Sequence, residues 1–238
     1  MILWTCNNRR VASVTAPNVK ASGRARAKSP DVKRYDREYF DRWYRDPRHA
    51  VVHRGVLARR VQLAVAAAEY LLERPIRSVL DVGCGEAPWR ALLMRVRPGM
   101  RYVGVDSSRY AVQRFGRTRG IRLGTVGELG RMKLGGPFDL VVCSDVLHYV
   151  GTAELERGLF ALQRLVGGVA FFELFTKEDA TIGDDVGFQP RAAATYRRLF
   201  RAAGFTPLGL HCYAGRTLEP ELIMFERGAP PPRERRRR

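Results

Sequence analysis

Residues Ser78–Trp89, with the sequence SVLDVGCGEAPW, decide the fold of this 238-residue chain. A short apolar strand pattern leads through Asp81 into a loop with Gly83 and Gly85, and a helical pattern follows. Glycine has no Cβ atom, so such a loop lets the backbone lie directly against a ligand and turn sharply into the next helix. The segment therefore predicts a strand, a ligand-binding loop and a helix, in that order.

A second strand pattern, YVGVDSS, ends at Asp106, which lies 25 residues after Asp81. In nucleotide-binding α/β units, an acid at about this distance accepts hydrogen bonds from ribose hydroxyl groups. A GxG pattern alone is weak evidence, because a tight turn followed by a surface Asp gives the same letters. The full order of strand, glycine loop, helix, strand and terminal Asp predicts a nucleoside-binding site.

From residue 75 onward, short apolar segments alternate with amphipathic ones, which is typical of parallel strands covered by helices on both faces. The predicted strands are Ser78–Val82, Arg101–Val105, Ile121–Thr125, Phe138–Cys143 and Val169–Leu174, and the predicted helices are Trp89–Val96, Ser108–Thr118, Thr152–Val166 and Arg191–Ala203. Gly167–Gly168 is predicted to stop the third of these helices, and Gly204 the fourth.

Two closing strands, Thr206–Tyr213 and Glu221–Arg227, are joined by a connection too short for a crossover helix, so we expect them to pair antiparallel. The predicted fold class is therefore α/β. It is a doubly wound, seven-stranded, mostly parallel sheet with an antiparallel C-terminal hairpin strand, preceded by an N-terminal helical cap.

Residues 31–74 are predicted to form this cap as two helices, the second of which runs from about His53 to Leu72. The first carries five aromatic residues at helical spacing before Pro47: Tyr35, Tyr39, Phe40, Trp43 and Tyr44. An ordinary amphipathic helix packed on the sheet is one interpretation. The density of aromatic residues favours a lid over the cleft, with Tyr35 and Tyr39 as substrate-binding residues.

The formal net charge of +18 is concentrated at the two ends of the chain. Residues 1–34 contribute +7 and residues 227–238 contribute +5, which leaves +6 for the rest. We expect residues 1–30 and 228–238 to be disordered extensions of a folded domain at 75–227. Their arginines could bind nucleic acid or an anionic membrane, but no aromatic residues interleave with them, as a single-strand binder requires. A solvated tail without a dedicated partner is therefore favoured over nucleic acid or a membrane.

The cysteine pattern and the hydropathy of the chain indicate its compartment. Cys6, Cys84, Cys143 and Cys212 lack the spacing of metal ligands, so no metal site is expected. Free thiols suit a reducing cytosol. The longest apolar run, Val61–Leu72, contains Gln62 and Glu69, and the N-terminus lacks the long apolar region of a secretory signal. We expect a soluble, cytoplasmic protein.

The motif residues resemble those of class I S-adenosylmethionine-dependent methyltransferases. VLDVGCG is similar to the first motif of that family, VGVDSS to the second, and PFDLVVCSDVLHYV to the motif at the fourth strand. The resemblance covers about Arg74 to Arg227 and implies an antiparallel seventh strand, with S-adenosylmethionine as the cofactor. The positions that it implies are Asp81, Gly83, Cys84 and Gly85 at the methionine moiety, Asp106 and Ser107 at the ribose, and Ser144 and Asp145 along the cleft between cofactor and substrate.

Two positions depart from the family pattern. Ala87 replaces the third loop glycine, and Thr125 stands where the family often has an Asp that holds the adenine. Glu128, three residues later, is the predicted adenine contact together with Leu129, although a plain surface Glu fits the sequence nearly as well.

Three polar residues near the ends of the fourth and fifth strands are candidates for contact with the acceptor. His148 could act as a general base, because the pKa of histidine lies near neutrality, and packing against the cofactor is the alternative. Glu173, at the end of the fifth strand, is the second catalytic candidate or a plain charge at a strand end. Tyr149 is a third substrate-binding candidate.

Methyl transfer from a sulfonium needs mainly positioning and exclusion of water, so a conspicuous set of catalytic residues is not required. The sequence thus predicts an S-adenosylmethionine-dependent methyltransferase that acts on an oxygen or nitrogen atom of a small-molecule methyl acceptor. Two alternatives stay open: an RNA or protein methyltransferase aided by the basic tails, and a non-catalytic regulatory protein that keeps the cofactor fold.

Overall fold

Strands and helices alternate along the chain in the computed structural model, which describes residues 33–46, 48–49, 54–179 and 184–223. The helices are α1 Arg37–Phe40, α2 Arg54–Leu72, α3 Pro88–Val96, α4 Arg109–Arg119, α5 Thr152–Leu165 and α6 Ala193–Ala203. The strands are β1 Ser78–Val82, β2 Arg101–Asp106, β3 Ile121–Leu123, β4 Phe138–Ser144, β5 Val166–Glu173, β6 Thr206–Gly209 and β7 Cys212–Ala214. The extensions predicted at residues 1–30 and 228–238 lie outside the described residues.

The seven strands form one sheet in the order β3-β2-β1-β4-β5-β7-β6. All pairings among β1 to β5 are parallel, and β7 runs antiparallel to both of its neighbours, β5 and β6. The predicted fold class is confirmed. The strand order reverses between β1 and β4, and in sheets of this kind a crevice opens there, beyond the carboxyl ends of the strands.

The C-terminal hairpin differs from the prediction. Both of its strands lie almost entirely in the region predicted as the single strand Thr206–Tyr213. The chain turns back at Leu210 and His211, between β6 and β7. Both turn residues have positive φ angles, 48° and 68°. Two left-handed residues in a two-residue loop are the geometry of a type I′ hairpin, which the sequence signals only when Asn or Gly stands there.

Of the strand predicted at Glu221–Arg227, only the first three residues are described, and they do not form a strand. Glu219–Glu221 is a 3₁₀ turn, and Leu222 is buried among the residues that pack on the sheet. The rest of that prediction lies outside the described residues.

The junction of α5 and β5 differs from the prediction as well. Gly167 and Gly168 were expected to stop the helix, but α5 passes directly into β5 at Val166, and both glycines lie inside the strand. A Cβ atom on Gly168 would overlap the backbone carbonyl of Asp139 on the neighbouring strand. The glycines therefore serve close strand pairing rather than a turn.

Helices cover both faces of the sheet. On one face, α2 and α3 pack against the sheet through Val61, Trp89 and Phe171, and the Trp89 and Phe171 rings are 5.2 Å apart. On the other, α5 and α6 bury Leu159 and Phe200. Full burial of such a side chain stabilises the fold by roughly 1.5–3 kcal/mol. The second helix of the predicted cap is thus part of the covering layer. No helix among the described residues is both long and apolar enough to cross a membrane.

The aromatic segment, which we define as residues 33–46, is only partly helical. The Asp36 carboxylate accepts a hydrogen bond from the Tyr39 backbone N–H at 3.1 Å, so α1 begins after Asp36 and Tyr35 precedes it. After Phe40 the helix widens into a π-helical turn, Asp41–Arg45. Turns of this kind occur frequently at functional sites.

Candidate active site

A cleft lies at the carboxyl ends of β1, β2 and β4, where the strand order reverses. It is lined by the glycine loop, by acids and serines at the strand ends, and by the aromatic segment: Tyr35, Tyr39, Phe40, Tyr44, Leu57, Arg60, Asp81, Gly83, Cys84, Gly85, Pro88, Trp89, Asp106, Ser107, Ser144, Asp145, Val146 and Tyr149. Its enclosed space measures about 140 Å³. Small-molecule pockets measure roughly 300–1,000 Å³. The cleft is therefore small for such a site, and Tyr35, Tyr39, Phe40 and Tyr44 of the aromatic segment contribute to its lining.

The glycine loop presents bare backbone to this cleft. Its entry is fixed by a hydrogen bond of 2.7 Å from the Gly83 N–H to the Val105 carbonyl. Gly83 and Gly85 have φ angles of 70° and 53°, a region that favours glycine. A Cβ atom on Gly85 would lie 2.5 Å from the Tyr44 hydroxyl oxygen. Tyr44 thus occupies the space that the glycine leaves open.

Asp106 ends β2 with its carboxylate fixed from two sides. The backbone N–H of Gly85 donates to Oδ2 at 2.6 Å, and the N–H of Ser108 donates to Oδ1 at 2.8 Å. Burial raises the pKa of Asp106, and the two hydrogen bonds oppose that shift. A carboxylate has about four acceptor positions, so Asp106 keeps free lone pairs for hydroxyl groups in the cleft. Ser107 lines the cleft beside it.

Asp81 lies at the same edge, in the middle of the sheet. Its carboxyl group is 2 % exposed and accepts a hydrogen bond of 2.7 Å from the Tyr102 hydroxyl. Burial raises the pKa of Asp81 to about 7, although the Tyr102 hydrogen bond lowers it. A buried carboxyl with this pKa suits a positively charged ligand group, which would favour its ionised form.

Arg60 on α2 is a cleft residue that the sequence analysis missed. Its guanidinium pairs with one carboxylate oxygen of Glu173, and the Ser144 hydroxyl donates to the other at 2.6 Å. Glu173 is 7 % exposed and does not line the cleft itself, whereas Arg60 and Ser144 do. Glu173 therefore positions these two residues. No sequence pattern predicts this role for Arg60, because an Arg on an amphipathic helix is normally expected to face solvent.

His148 lies behind the cleft wall and contacts Asp145. The backbone N–H of Phe175 donates to its Nδ1 at 3.3 Å, and its Nε2 is 3.3 Å from the Asp145 carboxylate. His148 is 1 % exposed and does not line the cleft. Asp145 does line it and has a positive φ of 63°, a strained conformation that often marks functional sites. The structure thus places His148 against Asp145 rather than in the cleft itself.

The aromatic segment is attached to the cleft at several points. The Ser108 hydroxyl donates to the Tyr35 carbonyl at 2.5 Å. Phe40 is 2 % exposed and stacks on Tyr110, with ring centroids 5.6 Å apart. Arg45 pairs with Glu86 at 2.5 Å, which ties the end of the segment to the glycine loop. The predicted lid residues Tyr35 and Tyr39 thus line the cleft.

Tyr35, Tyr39 and Tyr149 also surround the ammonium group of Lys33. Its Nζ lies 3.3 Å from the Tyr149 ring centroid, 5.3 Å from that of Tyr35 and 5.6 Å from that of Tyr39. The carboxylate of Asp184 is 2.8 Å from Nζ. Burial lowers the pKa of Lys33, and the Asp184 carboxylate opposes that shift. We call these three tyrosines and Asp184 the tyrosine cage.

The two predicted adenine contacts do not line this cleft. Glu128 accepts a hydrogen bond of 2.8 Å from the Thr125 N–H and closes a capping box at the 3₁₀ turn Val126–Arg131. Leu129 is 1 % exposed and belongs to the core between the sheet and α5. Ala87, the other departure from the family pattern, has a φ of 58°, so it adopts the left-handed conformation that a glycine would take without strain.

The described residues include three cysteines, and Cys side chains are also among the possible ligands of metal sites. Cys84, Cys143 and Cys212 are buried free thiols, and Cys84 lines the cleft. Within residues 33–223, apart from the short stretches that are not described, no group of three His, Cys, Asp or Glu side chains could hold a metal ion.

Comparison with known proteins agrees with this architecture. Solved structures with a similar fold include the sugar N-methyltransferase KedS8 from Streptoalloteichus sp ATCC 53650 (20% identity, 86% of this chain and 98% of that chain covered, TM-score 0.54). They also include the plantazolicin methyltransferase BamL (12% identity, 63% of each chain covered, TM-score 0.51) and the [4+2]-cyclase SpnF (21% identity, 70% of this chain and 63% of that chain covered, TM-score 0.49). This chain spans less than two thirds of the length of the latter two. At these identities the likeness to KedS8 and BamL shows the fold alone.

The family is shown by the sequence itself. No curated protein sequence matches the chain significantly. Residues 53–210, however, match a family model described as a methyltransferase domain. Since this match spans well over half of the chain and includes the glycine loop and all strands up to β6, the protein belongs to this methyltransferase-domain family.

Proposed function

We propose that the protein transfers the methyl group of S-adenosylmethionine to an oxygen or nitrogen atom of a small-molecule acceptor. The observation that carries the proposal is the pairing of a bare glycine loop with the Asp106 carboxylate at the carboxyl edge of the sheet. Family membership supports methyl transfer, and BamL, which shares the fold, was solved in complex with SAH.

The cleft residues have the chemistry that this cofactor requires. Asp106 would accept hydrogen bonds from the ribose hydroxyls with its free lone pairs. Asp81 would pair with the amino group of the methionine moiety, and Arg60 with its carboxylate. Glu128 and Leu129 remain predictions for the adenine, because that end of the cofactor would extend toward β3. The residues present therefore fit the cofactor.

When bound, S-adenosylmethionine supplies an electrophilic methyl group on a positively charged sulfur. The chain's own contribution is to hold the acceptor atom in line with that methyl group and to exclude water. Tyr35, Tyr39 and Tyr149 would form the acceptor side of the cleft, and burial raises the pKa of all three, so they remain neutral hydrogen-bond donors. Asp145, held by His148, would accept a hydrogen bond from the acceptor.

Isothermal titration calorimetry with S-adenosylmethionine and S-adenosylhomocysteine tests the cofactor. Asp106→Ala removes hydrogen bonds to a charged group, each of which contributes about 1.5–3 kcal/mol, so we expect affinity to fall by about tenfold or more. Glu156→Gln, an exposed position on α5, is the matched control and should bind as the wild type does. A melting curve of each variant separates loss of binding from loss of folding. Failure of the wild type to bind either compound at millimolar concentration would sink the proposal.

Turnover separates the remaining alternatives. Methyl transfer to members of a panel of small amines, alcohols and phenols supports the proposed acceptor class. Cofactor binding without turnover on such a panel, or on RNA and protein, would favour a regulatory protein instead.

We also propose a cytoplasmic location, which the free thiols at Cys84, Cys143 and Cys212 support.

A further inference from the structure

The tyrosine cage has the composition of a site for an organic cation. The faces of aromatic rings attract cations electrostatically, and cages of this type recognise quaternary ammonium and methylated lysine groups. Tyr149 lies within 3.3 Å of the Lys33 nitrogen, and its hydroxyl donates to the Asp184 carbonyl at 2.7 Å, which fixes the ring. Asp145 and Asp185 add negative potential to that of Asp184. The cage therefore favours a positive charge at its centre.

The Lys33 ammonium group is not fully hydrogen-bonded in this cage. Its side chain is only 10% exposed, and its ammonium nitrogen lies 2.8 Å from the Asp184 carboxylate, the distance of a charge-assisted hydrogen bond. An ammonium group has three N–H donors, and burying the donors that Asp184 does not engage is costly. The cage would suit a cation with fewer N–H groups better than a lysine.

The cage shares its walls with the cleft. Tyr35, Tyr39 and Tyr149 each line both, so a group that replaced the Lys33 ammonium would lie next to the space assigned to the methyl donor. Lys33 precedes the helix cap at Asp36 and lies in non-helical chain, so it can withdraw without the loss of helical hydrogen bonds.

We propose that the tyrosine cage is the acceptor subsite of the cleft, that it takes an amino group which leaves as its methylated ammonium, and that Lys33 occupies it until the acceptor enters. This inference rests on the proposed function and narrows the acceptor atom from oxygen or nitrogen to nitrogen. The lone pair of the neutral amine forms the new N–C bond while the C–S bond breaks, and its electron pair stays on sulfur. The positive charge passes from sulfur to nitrogen, where the tyrosine faces and the Asp184 carboxylate stabilise it.

The experiment is a calorimetric titration of the full chain, loaded with S-adenosylhomocysteine, with choline and with its neutral isostere 3,3-dimethylbutan-1-ol. Lys33→Met removes the internal cation and keeps an apolar side chain of similar length. We expect this variant to bind choline about tenfold or more tightly than the wild type does, and about tenfold or more tightly than it binds the isostere. Adding Tyr149→Leu should abolish that gain. Lys133→Met and Tyr70→Leu, at exposed positions, are the matched controls and should change nothing.

Three results would overturn the inference. They are equal affinity for choline and its isostere, no gain from Lys33→Met, or a peptide mass map after incubation with S-adenosylmethionine that shows methylation of Lys33 itself. The last would make the chain's own lysine the occupant. If S-adenosylhomocysteine fails to bind, the proposed function fails. The choline titration is then run on the protein alone, and its result still decides whether the cage binds cations.

Discussion

Asp81 is the residue whose chemistry depends most on its surroundings. It is buried at the end of β1, and burial raises the pKa of its carboxyl group to about 7. The ionised form pairs with the amino group that we assign to the cofactor, so binding below pH 7 must first remove a proton. Affinity is therefore expected to rise with pH through this value.

We predict that the affinity for S-adenosylhomocysteine at pH 8 is about tenfold higher than at pH 6, one unit on either side of that pKa. Asp81→Asn should bind more weakly and lose most of this pH dependence, because the amide has no charge to titrate. Calorimetry at pH 6, 7 and 8 measures both. An equally steep pH profile in Asp81→Asn would assign the titration to another group, such as Asp106.

Individual cleft residues could be predicted where a local sequence pattern marks them. Asp81, Gly83, Gly85 and Asp106 follow from the strand and loop pattern, and the structure brings them together at one cleft. Arg60 was not predictable, because its partner Glu173 lies more than one hundred positions along the chain.

Among the elements, the aromatic segment determines access to the cleft. Phe40 and Tyr44 have ring centroids 5.0 Å apart, and the Tyr44 hydroxyl lies against the glycine loop. With these rings in place the cleft measures about 140 Å³, below the roughly 300–1,000 Å³ of small-molecule pockets. Because the Tyr44 hydroxyl lies in the space over the glycine loop that we assign to the cofactor, we expect the segment to move when the cofactor enters.

We predict that Tyr44→Ala speeds the association of S-adenosylhomocysteine several-fold, because the cofactor then displaces less of the segment. Trp43→Ala is the matched control on the same π-helical turn. Its ring lies 6.0 Å from that of His49 and does not line the cleft, so its association rate should equal that of the wild type. Stopped-flow fluorescence measures the rates. An unchanged or slower rate in Tyr44→Ala would mean that the cofactor enters without displacing the segment.

Element boundaries were predicted best where a strong local signal marks them. β1 agrees with the prediction at both ends, since an apolar run begins at Ser78 and the glycine loop ends it at Val82. The hairpin was predicted too far along the chain, because the left-handed turn at Leu210 and His211 is imposed by strand pairing rather than by turn-forming residues.

For the molecule as a whole, the distribution of charge separates the proposed function from its nucleic-acid alternative. Residues 1–34 and 227–238 carry +7 and +5 of the net +18. Binding that depends on such charges weakens steeply with salt, because it releases counterions from the phosphate backbone.

We predict that a chain lacking residues 1–30 and 228–238 keeps its affinity for S-adenosylhomocysteine and its methyl transfer to small molecules within about twofold, since the described cleft residues all lie between Tyr35 and Tyr149. The same deletion should weaken binding to a random RNA duplex and flatten its salt dependence. The two chains are compared by calorimetry and by fluorescence anisotropy from low to high salt. Loss of methyl transfer upon deletion would instead favour a nucleic-acid or protein substrate.

The sequence by itself determined the α/β fold, the ligand-binding loop and the two acids at the strand ends. Periodicity, glycines and strand-terminal acids act within about thirty residues, so they can be read locally. Only the tertiary structure decided which distant side chains complete the cleft. Lys33, Tyr149 and Asp184 meet because the sheet and its covering segments bring far-apart positions together, and no local pattern encodes that contact.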